Sequence, residues 1–237
     1  IKSIRSIIVS LTNGIDSFFG KKMITDSSEK INKNFSMYTF LFYTISTILI
    51  ICTLFLIIPF VSIYTKNITD ANYIQPAFAY VLVLAEFNYI IRYPYSTIVY
   101  AKGHFKETKV FSIIEPIINI ILSVLLVFKY GLLGVAIGTL ISMLIRSIGF
   151  IDYASKKILK IKLINSMKIV IISYGEIIIS LAIHLMIGNI MVKNYIQWFI
   201  YALILFIIVS LIVILINSIF YKNIFKEIVN KIRRKYE

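Results

Sequence analysis

Apolar runs of about 20 residues recur along this 237-residue chain, and they decide most of what it can become. A hydrocarbon core about 30 Å thick is crossed by a helix of roughly 20 residues. Inside lipid every backbone polar group must be bonded within the protein, so a run of that length folds as an α-helix. Seven such runs are read, at residues 1–20, 36–63, 74–99, 107–128, 131–153, 167–191 and 195–220. The longest polar connections, 21–35 and 154–166, are too short to fold alone. The expected fold class is an all-α polytopic membrane protein of about seven transmembrane helices, with no soluble domain.

The net charge of +14 raises nucleic acid as a partner, but its distribution argues for a membrane. Basic residues gather after the first, third, fifth and seventh runs: Lys21, Lys22, Lys30 and Lys33; Lys102, Lys106 and Lys109; Lys156, Lys157, Lys160, Lys162 and Lys168; and Lys222, Lys226, Lys231, Arg233, Arg234 and Lys235. The other three connections hold Lys66, Lys129 and Lys193 alone. Cytoplasmic loops are rich in Lys and Arg, so the alternation sets the N-terminus outside and the C-terminus inside. The basic tail reads as an anchor on anionic lipid.

Charges inside the runs are the candidate functional groups, because an ionisable side chain in hydrocarbon is costly and faces a bundle interior or a wet cavity. In FSIIEPIINIILSV, residues 111–124, Ser112, Glu115, Asn119 and Ser123 recur at helical spacing and line one face. Pro116 removes a backbone donor and favours a kink there. Glu115 beside Pro116 is therefore read as bending a cavity-lining helix. The sixth run repeats the spacing with Ser173, Glu176, Ser180 and His184. The third carries a broader face of Glu86, Tyr89, Arg92, Tyr93, Ser96 and Tyr100, with a kink expected at Pro94. Glu86 and Arg92 stand six residues apart, so each looks to a neighbouring helix or to substrate. The fifth run holds Gly134, Gly138, Ser142 and Arg146 every four residues, a small-residue seam for close helix packing. Each feature has a plainer reading. The hydroxyls serve equally well as glue between helices, His184 as a satisfied bundle histidine, and Arg146, Asp152 and Asp16 as groups snorkelling to the surface.

Other chemistry is missing from the sequence. There is no P-loop, HExxH or GxSxG, so enzyme activity is not expected. The single cysteine, Cys52, makes neither a disulfide framework nor a cysteine metal site. No cofactor is called for. The chain opens on Ile1, inside an apolar run that already carries Lys2 and Arg5, and is read as the later part of something longer.

Residues 103–142 carry a resemblance. A polar loop with Gly103 and lysines leads into a run with an internal Asn119, then a very short turn at Gly131 and the string GLLGVAIGT. This resembles polysaccharide-type lipid flippases of the multidrug/oligosaccharidyl-lipid/polysaccharide exporter superfamily, near their eleventh and twelfth spans. A first run followed by KKMITDSSEKINKNF looks like their eighth span and its loop. The resemblance implies a cell-membrane transporter of fourteen spans, of which this chain would hold the eighth to the fourteenth. Residues 1–158 would be helices of its second lobe, 159–220 two additional helices, and 221–237 a basic cytoplasmic tail. The missing first lobe would be a partner, along with membrane lipid and a lipid-linked oligosaccharide on an undecaprenyl pyrophosphate carrier, moved by alternating access. By the same resemblance Arg92, then Arg5, would meet the carrier phosphate. Glu86, Glu115 and Glu176 would gate the path or couple it to H+ or Na+, with Asn119, His184, Tyr89 and Tyr93 beside them. Two alternatives stay open: a multidrug or small-metabolite exporter of the same superfamily, and a non-transporting scaffold or degenerate fragment.

Overall fold

The computed structural model describes residues 2–10, 12–188 and 190–236. The side chains of Lys2, Ile232, Arg234, Lys235 and Tyr236 lie outside the described set, so Lys2 of the first run and two basic groups of the tail are not placed. The described residues form helices and connections without a strand. In chain order they are α1 (Lys2–Ser10), α2 (Ile15–Thr25), α3 (Ser28–Tyr64), α4 (Pro76–Ala101), α5 (Phe105–Tyr130), α6 (Leu132–Tyr153), α7 (Leu163–Ile187), α8 (Tyr195–Phe220) and α9 (Lys222–Tyr236). A π-helical stretch, Ala154–Leu159, continues α6.

Among the described residues, five helices are long and apolar enough to cross a membrane: α3, α5, α6 with its extension, α7 and α8. At 26 residues α4 matches them in length. It is more polar because it is the central helix, contacting α2, α3 and α6 and burying Val83, Phe87 and Ile98 completely. Charges on a helix are tolerated at membrane depth where protein covers them. The prolines do not divide their helices: α4 runs on through Pro94 and α5 through Pro116.

The first run departs from expectation, because it is not one span. After α1 the backbone turns, Thr12 N–H bonding to the Val9 carbonyl at 3.0 Å. Gly14 then takes φ +84°, a left-handed conformation open to a residue without a Cβ. The two helices that result have 9 and 11 residues, each well short of the length a span requires. Hydropathy over residues 1–20 could not register a break made by one backbone angle.

Contacts between helices gather their basic ends at one end of the molecule. Asn32 Nδ2 donates to the Leu159 carbonyl at 3.0 Å, Lys33 pairs with Glu227 at 2.8 Å, and Gly20 lies against the Ala101 carbonyl. At the opposite end Phe60 meets Trp198 and Tyr195. The basic tail after the seventh run forms a helix of its own. In α9, Ile224, Phe225 and Ile228 pack back on the core. Both α7 and α8 pack on α3, through His184 against Phe55, Trp198 Nε1 donating to the Leu56 carbonyl, and Asn217 donating to Thr44.

Candidate functional site

The α5–α6 pair shows what the two polar rows are for. A Cβ built on Gly134 would stand 2.3 Å from the Leu126 carbonyl oxygen, and one on Gly138 2.7 Å from Ser123 Oγ. The glycine seam therefore lets the backbones touch. Asn119 lies in the same seam, accepting from Ser123 at 2.9 Å and from Thr139 at 3.4 Å, and Ser142 is fully buried beside it. The row Ser112–Glu115–Asn119–Ser123 thus faces α6 rather than a cavity. Glu115, read from the sequence as a cavity-lining residue, stands against Arg92 and Arg146. Helical spacing shows that polar groups share a face; it cannot show whether that face meets water or another polar helix.

Glu115 is the centre of an ion cluster. Its Oε2 accepts from Arg92 Nη1 at 3.2 Å and from Arg146 Nη1, while Arg146 Nη2 donates to Ser112 Oγ at 2.9 Å. Arg146 therefore turns inward instead of snorkelling. Asp152 does stay near the surface, pairing with Lys156 at 2.7 Å. The Arg92 side chain is 5% exposed, so two guanidiniums converge on one carboxylate in a largely dehydrated place. Rings flank them: Tyr89 lies 4.8 Å from the Arg92 guanidinium carbon, and Phe150 lies 5.6 Å from that of Arg146. From α1, Arg5 reaches the same tyrosine, 4.4 Å from its ring centroid, and pairs with Glu86 at 3.3 Å. Tyr89 is shared by two cations, each on a different helix.

In front of the two arginines opens a cavity of about 400 Å³, bounded by the α1–α2 turn, α4 and α6. Arg92 and Arg146 form one wall; Tyr89, Tyr93, Ser96, Thr97 and Tyr100 form the α4 wall; Thr12, Asn13, Gly14 and Asp16 close it from the turn. The broken first run is what makes this cavity, since a continuous helix would not present the turn to α4. Of the predicted residues, Arg92, Tyr89 and Tyr93 line it, Glu115 sits behind the arginines, and Arg5 with Glu86 adjoin it through Tyr89.

Two predicted residues lie elsewhere. His184 is buried near the far end of α7, with Nε2 3.0 Å from the Tyr80 hydroxyl and its ring 4.4 Å from that of Phe55. Glu176 is buried on α7, and neither of its oxygens has a hydrogen-bond partner. Sequence reasoning missed Asn88, which ties three helices together. Its side-chain oxygen accepts from Tyr174 of α7, and its backbone carbonyl accepts from Ser147 of α6 at 2.7 Å. Asn88 stands four residues before Arg92, at the edge of the charged face of α4, so its spacing was a signal that could have found it. No family model matches the sequence, and no curated protein and no solved structure matches it.

Proposed function

We propose that the chain works in a membrane transporter for an anionic lipid-linked oligosaccharide, held in the cytoplasmic membrane with its basic end inside. The supporting observation is the cavity wall on which Arg92 and Arg146 share the single carboxylate of Glu115. A pyrophosphate entering there meets two guanidiniums whose charge is only half compensated, and guanidinium is the group suited to bidentate phosphate contact. The tyrosines of α4 offer flat faces and hydroxyls to a sugar. Alternating access needs a site reachable from one side at a time, and the α1–α2 turn is the element that closes this one.

The test is binding of farnesyl pyrophosphate, a short carrier mimic, to the purified chain by native mass spectrometry. Wild-type binding and a roughly 10- to 100-fold loss in Arg92→Ala are expected, since a hydrogen bond to a charged group contributes about 1.5–3 kcal/mol. Equal binding by both proteins would sink the reading. A second reading has one observation in its favour: Asp16 stands on the rim with Tyr89, Tyr93 and Tyr100, an acidic and aromatic mouth suited to a hydrophobic cation. Tetraphenylphosphonium binding that Asp16→Asn abolishes would favour that exporter. Binding of neither probe would leave a membrane scaffold.

A further inference from the structure

Among the deep acids, Glu86 has Arg5 and Glu115 has two arginines. Glu176 is different. It is 6% exposed, and both carboxylate oxygens lack any hydrogen-bond partner. We propose that Glu176 is a proton-binding site, at which the folded chain holds one exchangeable proton apart from the arginine-lined cavity.

The surroundings supply no counter-charge. From α3, which packs against α7, there is no acid or base between Lys33 and Lys66 other than Tyr38, Tyr43, Cys52 and Tyr64. Along the whole of α8 no Asp, Glu, Lys, Arg or His occurs, and its only phenols are Tyr195 and Tyr201. On α4, Glu86 and Arg92 are engaged with Arg5 and Glu115, and on α6 Arg146 is engaged with Glu115. On α7 itself, Lys168 and His184 each stand eight residues away, Lys168 against the Tyr221 ring and His184 against Tyr80 and Phe55; Tyr174 donates to Asn88. A carboxylate placed so, without donor or cation, is disfavoured against its neutral acid. Binding the proton forms an O–H bond on one oxygen and removes the charge.

Release needs an acceptor, and that acceptor is water; the Tyr221 phenol, between α8 and α9 at the basic end, already holds its own proton and can only relay one. Its hydroxyl is itself buried without a partner, as are the hydroxyls of Ser46 and Thr47 on α3 and Ser210 on α8. Unpartnered polar atoms on the helices around α7 are places where water can enter and bond. Opening that interface would hydrate the carboxylate and let its proton leave toward the basic end. The site stands on the geometry alone; its use as a coupling group rests on the transport reading above.

The experiment is pH-difference infrared spectroscopy of the purified chain in lipid bilayers. A carboxylic-acid C=O band that titrates, is lost in Glu176→Gln and survives in Glu86→Gln is expected. Should Glu176→Gln fail to fold, Glu176→Asp must move the band's frequency and midpoint. A band untouched by either variant, or no such band in the wild type, overturns the proposal. So does a band that sodium ions erase at constant pH, which would make the site a metal-cation site. Farnesyl pyrophosphate binding in the same samples separates the two ideas. A titrating band without carrier binding defeats the transport reading and keeps the proton site, whereas carrier binding without the band does the reverse.

Discussion

Glu115 holds two like charges together, and its value lies in what happens without it. Glu115→Gln leaves Arg92 and Arg146 side by side in a dehydrated setting, and removing one member of a buried ion cluster costs about 3–5 kcal/mol. A clear fall in thermal midpoint in detergent is expected for Glu115→Gln. Part of it should return when Arg146→Met is added, because the second cation is then gone. Failure of the double variant to recover any stability would show that the guanidiniums are accommodated some other way. Arg5 is a milder case. It is only partly buried, and it ties α1 to α4 through Glu86 and Tyr89, so Arg5→Met should leave the fold intact while loosening α1. Faster proteolysis between α1 and α2 would report that.

At the scale of elements, α5 depends on α6 almost entirely. Of its residues only Thr108 is buried, and its close partner is the glycine seam. In lipid the hydrophobic effect does not drive helices together, so close packing and polar contacts must. Gly138→Leu places a side chain where Ser123 already stands at 2.7 Å from the first carbon. It should cost at least the roughly 1–3 kcal/mol of an overpacked core, read as a lower unfolding midpoint. A mutation of equal size at Gly175, where a Cβ meets nothing within 4 Å, should be nearly silent. The amphipathic helix α9 is held by Ile224, Phe225 and Ile228 and by the Lys33–Glu227 pair. Phe225→Asp is expected to free it, making the tail cleavable by trypsin while the bundle survives.

Across the whole molecule, two helices, α5 and α8, each leave a broad apolar face uncovered. Ile113, Ile117, Ile120, Ile121, Val124 and Leu125 of α5 are exposed, as are Ile204, Ile207, Ile208 and Leu211 of α8. Apolar surface of that extent on a chain of membrane-length helices is lipid-facing or pairs with another membrane segment. Spin labels at Ile117 and Ile208 should be accessible to dissolved oxygen and shielded from a water-soluble relaxant in bilayers. Strong access by the aqueous reagent at both sites would contradict a membrane setting for these faces. A label at Ile117 that neither reagent reaches would show that α5 is covered by a further helix.

Fold class was legible in the residues because hydropathy over about 20 positions is a local property, and lipid leaves such a run one way to satisfy its backbone. The long helices α3 and α5 to α8 follow from that. So do the pairing needs of Glu86 and Arg92, since a charge in hydrocarbon must have company somewhere. Identity of the company was not legible. That Arg92 and Arg146 meet at Glu115, that Asn119 serves a glycine seam, and that Glu176 has no hydrogen-bond partner depend on which helix lies against which, and at what register. Nor could hydropathy show that residues 1–20 split at Gly14, for the break lies in one backbone angle. Spacing along a helix determines which side chains share a face; only the packing of one helix on another decides what that face meets.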